Sequence, residues 1–191
     1  MAESIVRTAE SQRINKDAAA YPAMLRSRLA EKAPAELTVL GDASLLRARR
    51  TALFCSARTP GDAILRTHDA ARHMRDEGRT VISGFHSPIE EECLRILLRG
   101  RQPVIACPAR AIETMRVPTA IRAAFDAGRV LFLSPFTQRP VRITKDSAVR
   151  RNEVVAALAD DAYFAYVEQG GGTARIARML GEWGVPRLDE T

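Results

Sequence analysis

The stretch "VEQGGGTARI", residues 167–176, sets Gly170, Gly171, Gly172 and then Thr173 between an apolar strand-like run and a helix-like pattern. Residues without a β-carbon leave backbone N–H groups bare, and at a helix N-terminus such groups favour an anion. The chemistry on offer is a phosphate cradle. The competing use is a flexible turn in which Thr173 caps the helix. Four other strand-like runs end in comparable residues. "TALFCSAR" ends in Cys55, Ser56, Ala57 and Arg58, and "TVISGFHS" in Ser83, Gly84, Phe85 and His86. "PVIACPAR" ends in Cys107, Pro108, Ala109 and Arg110, and "RVLFLSPF" in Ser134, Pro135 and Phe136. Small residues permit close backbone approach, while hydroxyls and guanidinium groups supply donors, so such a rim suits phosphate.

Hydrolytic chemistry has little to build on. His68 and His73 fall inside a helical pattern, where exposure to solvent is the common role. Neither belongs to an HExxH pair, and no GxSxG elbow is present. GxGxxG is also missing, so no dinucleotide cofactor is implied. Cys55, Cys93 and Cys107 form no CxxC pair and have no histidine cluster, so no metal site is expected and the thiols read as packing residues. Glu90, Glu91 and Glu92 read as first-turn acids that complement a helix dipole.

The elements that must position the rim follow from periodicity. Thr51–Ser56, Thr80–Ser83, Pro103–Cys107, Arg129–Ser134 and Ala162–Val167 are short apolar runs of strand length. Between them lie helical patterns. "PGDAILRTHDAARHMRDEG" has Asp62 to cap its start and Gly78 to end it; "PTAIRAAFDAG" starts at Pro118 and Thr119 and ends at Gly128. Ile89, Cys93, Ile96 and Leu97 share one helical face, as do Val154, Val155 and Leu158, and Ile176, Met179, Leu180 and Trp183. Strands alternating with helices predict an α/β fold of Rossmann-like, doubly wound type, a mostly parallel sheet with helices on both faces. In such a sheet ligands bind beyond the carboxyl ends of the strands, where the residues above converge. Residues 1–20 read as a polar tail and 21–191 as a single domain, with 21–50 a lead-in segment holding a short helix around Leu25 and Leu29 and then a strand.

Charge points the same way. The chain of 191 residues carries 29 Lys and Arg against 23 Asp and Glu, a formal net charge of +6. Lys16, Lys32 and Lys145 are its only lysines, so arginine dominates. A GC-rich genome can favour arginine at solvated positions; an anionic partner can favour it because the planar guanidinium clamps phosphate. No run approaches the roughly 18 apolar residues of a membrane span, and "MAESIVRTAESQRINKD" has no apolar signal core, so a cytoplasmic protein with no membrane partner is expected.

The order of these motifs resembles the Rossmann-like core of the DprA/Smf DNA-processing family, from about Tyr21 to Ala177. "YPAMLRSRLAEKAPAELTVLGDASLL" resembles that family's lead-in through Tyr21, Pro22, Leu25, Gly41, Asp42 and Leu46. "ALFCSAR" resembles its first strand and Gly-Ser-Arg loop through Ser56 and Arg58. "TVISGFHSPIEEECL" resembles its Ser-Gly-Leu-Ala-x-Gly-Ile-Asp segment through Ser83, Gly84 and Ile89. "RRNEVVAALADDAYFAYVEQGGGT" resembles its Arg-Asn-Arg-x-Ile-Ala-x-Leu-Ser segment and Gly-Ser/Thr loop through Arg151, Asn152, Ala156, Leu158, Gly172 and Thr173. Glu90, Leu94, Pro135, Ala148 and Val149 stand where the family pattern has Asp, His, Glu and Phe-Pro. The resemblance implies single-stranded DNA bound in a basic pocket at the strand ends, a homodimer, and RecA as a partner.

The expected function is therefore a binding protein for single-stranded DNA, with DNA processing or recombination as its setting. Ser56, Arg58, Ser83, Gly84, His86, Arg110, Ser134, Arg151, Asn152 and the loop Gly170, Gly171, Gly172 and Thr173 would form the nucleic-acid site, with Phe85, His86 or Phe136 stacking on bases. Two alternatives use the same rim. One is a SLOG-type sensor of a free nucleotide. The other is a phosphoribohydrolase like the LOG family, whose Pro-Gly-Gly-x-Gly-Thr-x-x-Glu loop "QGGGTARI" resembles; here Ile176 stands at the place of the catalytic Glu.

Overall fold

A computed structural model describes residues 10–56, 59–137 and 143–188. Among these residues seven strands form one sheet. They are β1 (Gln12–Asn15), β2 (Glu36–Leu40), β3 (Arg50–Phe54), β4 (Thr80–Ser83), β5 (Val104–Ala106), β6 (Val130–Ser134) and β7 (Asp161–Phe164), in the order β1-β2-β6-β5-β4-β3-β7. The pairs from β6 to β7 are parallel; β2 runs antiparallel to β6, and β1 antiparallel to β2. The helices are α1 (Ala23–Leu29), α2 (Gly61–Asp76), α3 (Pro88–Leu98), α4 (Thr119–Asp126), α5 (Lys145–Leu158) and α6 (Gly172–Glu182). The Rossmann-like α/β class read from the sequence is the observed one.

The alternation of strand side chains builds two cores. Ala52, Phe54, Ile82, Ile105, Leu131, Leu133, Ala162 and Phe164 point to one face and pack with α1, α5 and α6. Leu53, Val81, Val104, Ala106, Val130, Phe132 and Tyr163 point to the other and pack with α2, α3 and α4. This is why the parallel strands are apolar on both sides, with every residue of β3 to β7 buried. Helix α5 is buried nearly all round, from Val154 to Leu158, because it is flanked by α1 and α6 and lies over β3 and β4.

Local signals set the helix ends. Ser87 and Glu90 form a capping box at α3, and Thr144 and Ser147 form one at α5. Gly78 and Gly128, at φ of 72° and 71°, end α2 and α4 in the left-handed region that a β-carbon disfavours. Asp62 does not cap α2. Pro60 holds that position, and Asp62, the second residue of the helix, pairs with Arg66 at 2.7 Å.

One strand lies where a polar tail was expected. Gln12–Asn15 pairs with β2 and buries only Ile14. Four residues with one apolar side chain carry no legible period, and the strand exists because β2 offers an unpaired edge.

From β3 the chain winds through β4 and β5 to β6 in one direction, then returns through α5 to place β7 on the other side of β3. The order reverses between β3 and β7, and the crevice at the carboxyl ends of such a pair is where open α/β sheets bind ligands. Phe54 and Phe164 stack across this junction with ring centroids 5.2 Å apart, a contact of about 0.5–1.5 kcal/mol that holds the two strand ends level.

Candidate anion-binding rim

The serines that close the strands are pins. Ser56 Oγ donates to the Tyr166 carbonyl at 2.7 Å. Its one proton is then used, so in the 2.6 Å contact with Thr173 Oγ1 the threonine is the donor, and the Glu168 N–H also donates to Ser56 Oγ at 3.3 Å. The hydroxyl is saturated. It ties the end of β3 to the loop after β7 and to the first turn of α6. Ser83 Oγ donates to the Leu53 carbonyl, and Ser134 Oγ to the Arg110 carbonyl, at 2.8 and 2.7 Å. Sequence reasoning assigned these hydroxyls to phosphate; the structure gives their protons to backbone carbonyls. Ser56→Ala is therefore expected to lower stability by about 1–3 kcal/mol, since Thr173, Tyr166 and Glu168 each lose a buried partner. Thermal melting checks the loss, and the salt dependence of any anion binding should stay unchanged.

Two helices start at the switch point, α2 after β3 and α6 after β7, and among the described residues neither has a side-chain cap. In α6 the N-cap is Gly171, not Thr173 as the turn reading had it; Thr173 lies inside the helix, held by Ser56. Gly170 takes a φ of 74°, and the Gly171 N–H donates to the Glu168 carbonyl at 3.0 Å. Among the described residues the N–H groups of Gly172, Thr173 and Ala174 have no protein acceptor. Those three donors and the positive end of the helix dipole stand beside the switch, with Gly172 exposed, Ala174 half-buried and Thr173 buried. A carboxylate stands near them: Glu168 Oε2 is 3.5 Å from where a β-carbon on Gly171 would be.

The next feature along the rim is Arg151, on the first half of α5. It is 4% exposed. Its Nε donates to Asn152 Oδ1 at 2.7 Å and its Nη1 to the Cys107 carbonyl at 3.1 Å. Among the described residues no carboxylate pairs with it; the nearby Glu153 is engaged by Arg150 and Arg175. Cys107 does not supply the missing charge, because burial pushes its thiol up to about 12, with Arg151 opposing, so it stays neutral. The guanidinium lies flat on Gly84. A β-carbon there would overlap its carbon and Nη1 and stand 2.6 Å from Nη2. Gly84 has no positive φ, so contact with Arg151, not backbone conformation, requires the glycine.

The remaining expected residues divide. Arg110 and His86 are exposed, and the Arg110 guanidinium has no partner among the described residues. Arg58 lies outside the described residues. Phe85 is buried in the core at a φ of 46°, which removes it from base stacking; Phe136 is half-buried. Glu90 does more than complement a dipole: its carboxylate accepts from the backbone N–H of His86 and Ser87, at 2.9 and 3.1 Å, and fixes the loop after β4. Cys55 is half-buried and Cys93 buried; burial raises both thiols, that of Cys93 to about 12. Among the described residues no group of three or more His, Cys, Asp or Glu side chains is placed to hold a metal ion, and no helix is long and apolar enough to cross a membrane. Ile176 is buried in the core, so the place of the phosphoribohydrolase carboxylate is filled by packing.

From β7 to β6 the rim crosses five strands, about 20 Å at ~4.8 Å per strand. The fold is that of a Rossmann-like α/β protein, and this carboxyl edge is its candidate site. The sequence matches the family model for DNA recombination-mediator protein A over residues 12–184, and the chain belongs to that family. No curated protein sequence matches it significantly. Among solved structures it is similar to DNA processing protein A from Streptococcus pneumoniae, at 19% identity and a TM-score of 0.74, covering 95% of this chain and 62% of that one. It is similar also to DNA processing protein A from Helicobacter pylori, whose structure describes a single-stranded DNA binding mode, at 18% identity and a TM-score of 0.71, covering 94% and 80%. A molybdenum cofactor binding protein from Rippkaea orientalis aligns at 10% identity and a TM-score of 0.51, covering 74% and 75%. At these identities the likeness is one of fold. The chain spans 62% of the length of the pneumococcal protein.

Proposed function

We propose that the strand-end rim binds single-stranded DNA through its phosphates, in the service of DNA processing. The observation that carries this reading is Arg151: a buried guanidinium with no carboxylate partner among the described residues pays a desolvation cost that an anionic ligand offsets. The open N-terminus of α6 supplies neutral donors about two strand spacings away, and exposed Arg110 extends the positive edge toward β6. Several phosphate contacts spread along an open edge fit a polymer better than a single nucleotide. Membership of the recombination-mediator family, and the DNA-binding mode described for the Helicobacter pylori relative, support the same ligand.

The test is a titration of labelled oligo-dT by fluorescence anisotropy at about 50 and about 200 mM salt, beside a thermal-shift screen against mononucleotides. Oligomer binding that weakens steeply with salt is expected. Stabilisation by a mononucleotide without oligomer binding would move the reading to a nucleotide sensor.

A further inference from the structure

We propose that Tyr166 is the aromatic platform of the rim, stacking on a base of the bound strand next to the α6 N-terminus. This rests on the DNA-binding reading above. Of the chain's ten aromatic residues, all described, Tyr166 alone is exposed, at 38%. Phe54, Phe85, Phe125, Phe132, Phe164, Tyr21 and Tyr163 are core, and Phe136 and Trp183 are half-buried. Strand β7 ends at Phe164, so Tyr166 opens the loop that leads to the free N–H groups of α6. Its backbone is fixed, because its carbonyl accepts the Ser56 hydroxyl at 2.7 Å, while the residue keeps part of its surface in solvent. A pinned backbone loses little entropy on binding, and tyrosine offers a large rigid face at the expense of two torsions. An exposed aromatic at a ligand edge stacks on any base, because every base has a π-face.

The experiment compares oligo-dT with an abasic oligomer of the same length and charge, binding wild type, Tyr166→Phe, Tyr166→Leu and Tyr166→Ala at low salt. Wild type and Tyr166→Phe should prefer the oligomer with bases. In Tyr166→Leu and Tyr166→Ala that preference should fall by about five- to a hundredfold, with affinity for the abasic oligomer retained. Among the described residues the Tyr166 side chain has no hydrogen-bond, ring-stacking or cation–π partner, and melting curves of the four proteins should agree within a few degrees. An unchanged preference in Tyr166→Ala overturns the proposal. So does equal weakening toward both oligomers, which would make the residue a scaffold. Wild type that binds both oligomers equally removes the platform alone; wild type that binds neither removes the DNA-binding reading itself.

Discussion

Gly84→Ala is expected to destabilise the protein and to cut its affinity for single-stranded DNA in one step. The added methyl group would occupy the space of the Arg151 guanidinium. Overpacking of this kind costs about 1–3 kcal/mol. For a chain of this length that lowers Tm by about 2–4 °C per kcal/mol. The displaced guanidinium also leaves the Cys107 carbonyl and the rim. The two effects share one cause, so they should not add to the removal of Arg151. In an Arg151→Ala background the Gly84→Ala change should become nearly neutral in both melting and binding. A double-mutant cycle reads this coupling directly. Additive effects would show that Gly84 serves something other than the arginine.

Arg151→Met should do the opposite to stability. Methionine has similar reach and no charge to desolvate, and replacing buried ionic groups by apolar ones of similar volume is often neutral or stabilising. The Cys107 carbonyl loses a donor, which costs about 1 kcal/mol and offsets part of the gain. The expected Tm is equal to or above that of the wild type. Affinity for oligo-dT should fall at least about tenfold, because hydrogen bonds to charged groups are worth about 1.5–3 kcal/mol. A residue whose removal leaves the fold at least as stable and weakens binding is there for the ligand. A drop in Tm of several degrees with affinity intact would assign Arg151 to the scaffold.

Much of this architecture was legible in the residues. The five parallel strands showed as apolar runs because both faces of that sheet are covered, α3 and α6 showed as one-faced apolar periods, and α4 as a helical pattern between Pro118 and Gly128. The edge strand β1 was not legible, since it buries one side chain and is induced by its partner. The place of the rim followed from topology, but the roles within it did not. A serine at a strand end reads the same whether its proton goes to a phosphate or to a neighbouring carbonyl, and the hydroxyls of Ser56, Ser83 and Ser134 donate to carbonyls. Arg151 and Gly84 are 67 positions apart, and nothing local links them. Tyr166 was hidden inside "AYFAYV", a run read as strand to Val167. The strand ends at Phe164, where the Ser56 pin draws the chain out of the ladder.

The central claim is that Arg151 and the open start of α6 hold phosphates of one strand. Its most direct measurement is the salt dependence of oligo-dT binding by the wild type and by Arg151→Met. For single strands the slope of log K against log salt is about −0.7 per phosphate neutralised. The account predicts a slope steeper than about −1.4 for the wild type, shallower by about 0.7 in Arg151→Met. Binding that ignores salt, or a slope that is the same in both proteins, would contradict it.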